Sequence, residues 1–290
     1  FTFNLVDTLF ISMLGTEPLS AISFTFPVTF MVLSMAIGLG IGTSAVVAKY
    51  LGRDEFEKAK QASTVTNYTA ILMAMALSAV GYVFMDDIFR LMGANEGLLP
   101  QIREYMTIWL PTSFLLVGMN SANSVLRASG DTKTPSLIMA GAGLINVILD
   151  PVFIFGFGPV PAMGIQGAAV ATLISWLAAF VFIYYHLIVK VELVYPGIPT
   201  LRDFCSSSRE MLRIGIPASG ANMLTPVAAG VMTAIAATYG DSTVAAFGVG
   251  SRIEAIACLV VLALSSTLPP FISQNLGAGR ADRIADSYRL

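Results

Sequence analysis

The chain is 290 residues long, 56% apolar and only 12% charged, with a formal net charge of -2 and a mean hydropathy of +0.76. An ordinary soluble domain, about a quarter of whose residues are charged, is excluded, and without a basic stripe interleaved with aromatics so is a nucleic-acid partner. Two cysteines, Cys205 in a polar stretch and Cys258 in an apolar one, leave no disulfide framework and no spacing for zinc or an iron–sulfur cluster.

The chain opens inside an apolar stretch with no initiator Met and no charged leader, so no signal peptide is expected and the first helix reads as truncated. Runs free of Asp, Glu, Lys and Arg follow at 18–48, 61–85, 105–126, 214–240 and 255–279. Each is near the ~20 residues that a spanning helix needs. The 56 residues from 134 to 189 carry Asp150 as their only charge and are broken by Gly156, Gly158, Pro159, Pro161 and Gly164, which makes two further helices. The predicted spans are therefore about 1–14, 20–48, 62–85, 103–126, 135–156, 165–189, 214–239 and 244–271. The fold class is an all-α polytopic membrane protein.

Alternate loops hold Lys49, Arg53, Lys58, Lys60, Arg127, Lys133, Lys190, Arg202, Arg209, Arg213, Arg280, Arg283 and Arg289, which is 13 of the 16 basic residues. That side is cytoplasmic by the positive-inside bias, and the first helix runs outward. Trp109, Trp176, Tyr184 and Tyr185 are candidates for interfacial anchors, with interior packing an equal alternative for the two tryptophans.

A shift of 225 residues superposes Gly15 on Gly240, Ala21 on Ala246, Leu51 on Leu276 and Gly52 on Gly277, with equal span lengths and the same inside–outside sense. A parallel internal repeat is expected. It divides the chain into a first lobe at 1–189, a cytoplasmic connector at 190–213 and the start of a second lobe at 214–290. Eight transmembrane helices of an expected twelve, in two six-helix lobes, are then present. Pro196, Gly197, Pro199 and the Cys-Ser-Ser-Ser run make the connector an interfacial linker.

Chemistry concentrates in one layer. Asp7 and Asp150 each lie seven or eight residues from the outer end of their segments. At ~1.5 Å per residue, both are roughly 10 to 12 Å below the outer surface. An acid at that depth is costly and is normally turned inward for ions or protons. Asn146 stands one turn from Asp150 on the same face, and Thr172 lies at matching depth in the next helix. Asp7, Asn146, Asp150 and Thr172 thus form a candidate Na⁺ or H⁺ site, since hard oxygen ligands suit these ions better than a transition metal. Two close carboxylates away from water resist joint ionisation, so proton and Na⁺ would compete. The alternatives are a snorkelling Asp7 and a helix-end Asp150 before Pro151.

Asn120 and Asn123, three apart on the fourth span, face the interior, and fourteen Met and eighteen Phe offer repackable surface for varied apolar cations. Glu254 with Arg252 is a further candidate pair, read as structural. The Gly38, Gly40, Gly42 series indicates close helix packing, and Pro27, Pro111, Pro151, Pro226, Pro269 and Pro270 are tolerated in membrane helices. Other motifs fail on context. Ser129–Thr134 lacks the upstream glycine of a P-loop, Asp86 and Asp87 lack a third acid, Asn67-Tyr68-Thr69 is a sequon inside a span, and His186, near the cytoplasmic end of its helix, is expected to have no nucleophile or acid beside it.

The segments Asn4-Leu-Val-Asp7-Thr-Leu-Phe, Gly38-Leu-Gly-Ile-Gly42, Leu126-Arg-Ala-Ser-Gly-Asp-Thr-Lys133, Asn146-Val-Ile-Leu-Asp-Pro-Val-Phe153, Gly167-Ala-Ala-Val-Ala-Thr172 and Asn275-Leu-Gly-Ala-Gly279, in this order, resemble the MATE (multidrug and toxic compound extrusion) transporters, closest to the DinF-like and MepA-like prokaryotic members. The resemblance implies twelve helices in two lobes and export of small organic cations across the prokaryotic inner membrane, driven by H⁺ or Na⁺ entry. It implies no organic cofactor, no catalytic residue and a monomer in the lipid bilayer. It also implies that the residues matching Asp7, Asn146, Asp150 and Thr172 form the cation site, and that those matching Asn120, Asn123 and Met139 line the drug cavity. The rival readings are a lipid-linked oligosaccharide flippase of the same superfamily, which needs a cationic cavity, and a prenyltransferase-like membrane enzyme, which needs Asp-rich Mg²⁺ motifs.

Overall fold

A computed structural model describes residues 2–94, 96–195, 197, 199–237, 250 and 259–287. Its helices are α1 (Thr2–Ser12), α2 (Thr16–Gly52), α3 (Phe56–Val83), α4 (Met85–Leu91), α5 (Leu99–Ala128), α6 (Lys133–Phe155), α7 (Ile165–Tyr185), α8 (Leu201–Ala237), α9 (Leu259–Gly277) and α10 (Ala281–Ser287). A π-helical turn, His186–Lys190, continues α7. Each of the eight expected spans overlaps one long or truncated helix, the eighth over its described part. Among the described residues four helical stretches are long and apolar enough to cross a membrane: Thr16–Gly52, Phe56–Val83, Lys133–Phe155 and Ile165–Lys190.

Polarity is inverted relative to a soluble bundle. Leu137, Leu144 and Ile148 run exposed along α6, and Val181 and Phe182 along α7, while Ser63, Thr66, Asn67, Ser113, Ser121, Asn123 and Ser124 are buried. Lipid solvates the first set, and the second must find partners inside. Many hydroxyls find them in their own helix: Thr69 donates to the Val65 carbonyl at 2.9 Å, Ser124 to Asn120 at 2.8 Å, Ser175 to Ala171 at 2.8 Å and Ser219 to Gly215 at 2.8 Å. Others bond between helices. Ser78 meets Ser113 at 2.6 Å, Thr43 meets Ser121 at 3.2 Å, and the Tyr184 hydroxyl donates to Asn67 Oδ1 at 2.8 Å. The sequon asparagine is thus locked in the core.

Helix α2 is the hub and packs on α8, α5, α9 and α3, while α6 packs mainly on α7 and α1. With 37 residues α2 is about 55 Å long at 1.5 Å per residue, well beyond a ~30 Å hydrocarbon core. Small residues set the α6–α7 distance: a Cβ at Gly167 would overlap the Phe153 carbonyl. Of the two readings left open for the tryptophans, the fold selects packing. Trp109 is buried and meets Trp176 edge-on, centroids 5.8 Å apart.

Three local expectations are corrected. Helix α4, unforeseen because its seven residues include Asp86, Asp87 and Arg90, caps the outer end of the bundle. Arg103 of α5 grips its Asp86 carboxylate, Nε to Oδ1 at 2.7 Å, and holds that acid below the usual carboxylate range. The expected seventh helix begins at Leu201 instead of 214, so Cys205 and its serines are helical; upstream, Leu193 and Val194 are buried and the Tyr195 amide donates to Thr64 Oγ1 at 3.3 Å. His186 does have an acid beside it, since the folded chain brings Asp131 Oδ2 to 3.7 Å from its Nε2.

Asp131 also caps α6, accepting the Lys133 and Thr134 amides at 3.1 and 3.0 Å. Burial opposes its ionisation, but the Thr134 and Lys133 bonds outweigh that and hold the carboxyl below its ordinary value. A depressed acid stabilises the fold above its unfolded pKa of about 3.9, and the gain is lost as pH falls through the lower folded value. Replacing Asp131 by Ala should therefore cost about 1 kcal/mol at neutral pH. In thermal melts of the intact protein, the gap between wild type and this variant should shrink below about pH 4.

Candidate functional site

Asp7 from α1 and Asp150 from α6 face each other. Asp150 is wholly buried and Asp7 nearly so, and the two carboxyls are close enough for each to act on the other. Their helices are pinned just beyond the pair by Phe10 against Phe155, edge-on with centroids 6.2 Å apart, and by the fully buried Ile11. Asn146, one turn before Asp150, donates Nδ2 to Asp150 Oδ1 at 3.2 Å and also reaches Asp7. Thr172 is buried on the adjoining helix α7.

The acceptors left over define the chemistry. Asp7 Oδ1, Asp150 Oδ2, Asn146 Oδ1 and Thr172 Oγ1 are all buried without a hydrogen-bond partner. Thr172 is therefore in the same buried layer but not bonded to the pair. Unpaired buried oxygens on two acids cost several kcal/mol unless a proton or cation joins them. All four atoms are oxygen, and no cluster of three or more His, Cys, Asp and Glu occurs among the described residues, so the set fits a proton or a hard monovalent cation better than a transition metal.

One participant escaped the sequence reading. Tyr105 of α5 is buried and lies within range of the charges of both Asp7 and Asp150. It lies six residues inside the outer end of α5, close to the depth count that singled out the two acids. A phenol at that depth was a legible signal.

The three residues expected along a substrate cavity do not join the acid pair. Asn123 is buried with Oδ1 unpartnered, Asn120 is half-buried and donates to the Leu116 carbonyl at 3.1 Å, and Met139 packs against the apolar core. Two open pockets are lined by other residues, one by Thr16, Glu17 and Ser20 and one by Ala45, Lys49 and Glu210. Arg252 and Glu254 fall outside the described residues.

The signature of the MatE family matches residues 1–152 and 217–290. The chain belongs to that family. It is a multi-pass membrane protein of the cell membrane, like other MatE members. It is 44% identical to a FAD transporter of Shewanella oneidensis over 288 residues, covering 99% of this chain and 64% of that one. It is 29% identical to a probable multidrug resistance protein, YoeA, of Bacillus subtilis, covering 96% and 60%. The fold matches the crystal structure of a mutant of the Vibrio cholerae MATE transporter VcmN, with a TM-score of 0.91 at 31% identity over 98% of this chain and 64% of that one. The chain thus spans less than two thirds of the length of these relatives.

Replacing either acid by its amide removes one of two facing negative charges. In the intact protein at alkaline pH without Na⁺, Asp7→Asn and Asp150→Asn should each melt higher than wild type, and the advantage should vanish near pH 5 or in excess Na⁺. Thermal melts across pH and Na⁺ concentration check this, and a wild type indifferent to both would count against a cation or proton at the pair.

Proposed function

We propose that the intact protein is a secondary active exporter that moves cationic or amphipathic organic compounds out of the cell in exchange for H⁺ or Na⁺. The single observation that supports this most is the buried pair Asp7–Asp150 with its unsatisfied oxygens. In this reading Asp7, Asn146, Asp150 and Thr172 take the coupling ion, and Asn120, Asn123 and Met139 contribute to the substrate cavity. Substrate binds while the acid pair is free of the ion. Ion entry neutralises the pair, lets α1 repack, and biases the protein to the state that releases substrate outside. The first lobe would be 1–189 and the second would start at 214, with four helices beyond this chain, and the protein would act as a monomer.

A second substrate reading has specific support. The relative at 44% identity is named a FAD transporter, and Arg127 of α5 is a cation without a carboxylate partner among the described residues. Its Nη2 donates to Ser124 Oγ at 2.7 Å and its Nε is buried and unpaired. A guanidinium left free in this way suits a phosphate-bearing substrate such as a flavin dinucleotide. The enzyme alternative has nothing behind it, since the relatives are named as transport proteins.

Efflux from cells carrying the full-length protein tests both. Asp150→Asn should abolish gradient-driven export of whichever substrate is carried, by at least tenfold in rate. Arg127→Ala should reduce FAD export at least tenfold if the anionic reading is right, and should leave export of a lipophilic cation within twofold. Undiminished export by Asp150→Asn would refute the coupling role.

A further inference from the structure

His186 is the only histidine in the chain, and it plays no part in the exchange reading above. It stands where α7 ends. Its amide closes the last turn of α7, and its carbonyl accepts the Val191 amide at 3.0 Å across the π-helical turn. Its Nε2 lies 3.7 Å from Asp131 Oδ2, with the two side chains 28% and 30% exposed. Asp131 in turn holds the first turn of α6 through the Lys133 and Thr134 amides. One carboxylate therefore meets the start of α6 and the end of α7 together. Among the described residues no other side-chain hydrogen bond or ion pair joins α6 or its cap to α7.

Those two helices carry three of the four unpartnered oxygens, Asn146 and Asp150 on α6 and Thr172 on α7. At the outer end backbone bonds already close the hairpin: the Met163 amide donates to the Phe153 carbonyl at 2.9 Å and the Gly164 amide to Ile154 at 3.1 Å. At the cytoplasmic end the Asp131–His186 contact spans the two helices, and its strength turns on one proton. An imidazole ordinarily changes charge between pH 5 and 8, a range in which the capping carboxylate is ionised. A separation of 3.7 Å is too long for the hydrogen bond of a neutral ring and short enough for an ion pair. The other charged or titratable groups that the surrounding elements carry at this end are Arg127 on α5, Lys133 on α6, Tyr184 and Tyr185 on α7, Lys190 in the π-helical turn and Glu192 beyond it. The Tyr184 hydroxyl is committed to Asn67, and among the described residues Asp131 is the one carboxylate within ion-pair distance of the ring.

We propose that His186 senses the pH of the cytoplasm: once protonated it pairs with Asp131, ties the inner ends of α6 and α7 together and slows the exchanger. A tie between the helices that bear the ion-site oxygens raises the barrier to any rearrangement of that site, and the effect is reciprocal, since a change at the site is felt at the tie. Where H⁺ is the driving ion, each turnover acidifies the compartment that His186 faces, so ion entry restrains itself. The sensor rests on the exchange reading above and adds its control from inside the cell.

The test uses the full-length protein in inside-out vesicles, with the lumen held at one pH and the bath, which meets the cytoplasmic face, set between pH 8 and 6. Transport of a lipophilic cation, or of FAD if that is the compound carried, is compared between wild type, His186→Gln and His186→Lys. All three work against the same gradient at each pH, so the ratio of their rates cancels it. Wild type should match His186→Gln at pH 8 and fall about two- to fivefold below it at pH 6, the size a part-exposed pair supplies. His186→Lys, charged throughout, should be slow at both. A ratio that stays flat with pH would overturn the sensor. If His186→Gln fails to fold, Asp131→Asn takes its place, since an asparagine still caps α6. Thermal melts follow the pair without any transport: Asp131→Asn should cost more at pH 6 than at pH 8, and the same at both once His186→Gln is present. Equal losses at the two pH values in the wild-type background would also overturn the sensor. A pH-dependent pair in the melts with no export by any form would instead strike the exchange reading alone.

Discussion

Two acids in an interior shut off from water have few places to go, and the architecture of the first half of this chain follows from where they went. An ionised carboxylate in a low-dielectric interior is penalised far beyond what any single packing contact returns, so it must meet a proton, a cation or a donor. Asp7 and Asp150 meet each other, with Asn146 donating to Asp150. That encounter requires α1 to stand against α6, which the Phe10–Phe155 contact maintains. It requires α6 to lie close to α7, which Gly167 permits by letting the helix touch the Phe153 backbone. Tyr105 of α5 is buried near enough to feel both charges. The helix positions and the charge state of the pocket are therefore one problem.

Much of this was open to a reader of the sequence, because a bilayer makes the rules strict. Gaps between charges located each long helix among the described residues, and counting residues from glycine-rich ends put Asp7 and Asp150 at one depth. The misses share a cause, which is dependence on contacts between segments far apart in the chain. Helix α4 is short and acidic, and is held by Arg103 from across a loop. The start of α8 was hidden by Pro199 and a serine run that looked like linker, although Ser208 bonds to Thr69 of α3 at 2.6 Å. His186 seemed isolated because its acid lies 55 positions earlier, in the loop before α6. Depth can be counted along one helix, whereas azimuth and neighbours cannot. For that reason the proximity of the two acids was legible, while the meeting of Asp131 and His186 was not.

Glycine has two separate uses in the same fold. At Gly156 and Gly164, both with positive φ, it shapes the reversal between α6 and α7. Along α2 it removes side chains from a helix face, so that α5 and α8 approach closely at Gly40 and Gly42. With no hydrophobic force driving helices together in lipid, such close approach supplies dispersion contacts that bulkier residues would forbid. The repeated spacing on one long rod concentrates the tightest interfaces on α2.

The serine and threonine hydroxyls that bond to carbonyls one turn earlier in their own helix carry a mechanical implication. Such a bond travels with its helix. When Ser124 and Ser175 satisfy themselves in this way, a shift of one rod against its neighbour leaves those bonds whole, and the bonds to be remade are the cross-helix ones, such as Thr43–Ser121 and Thr69–Ser208. In a bundle assembled on that plan the interior polarity is divided between bonds that move with one rod and bonds that join two, and only the second kind sets the cost of displacing a helix.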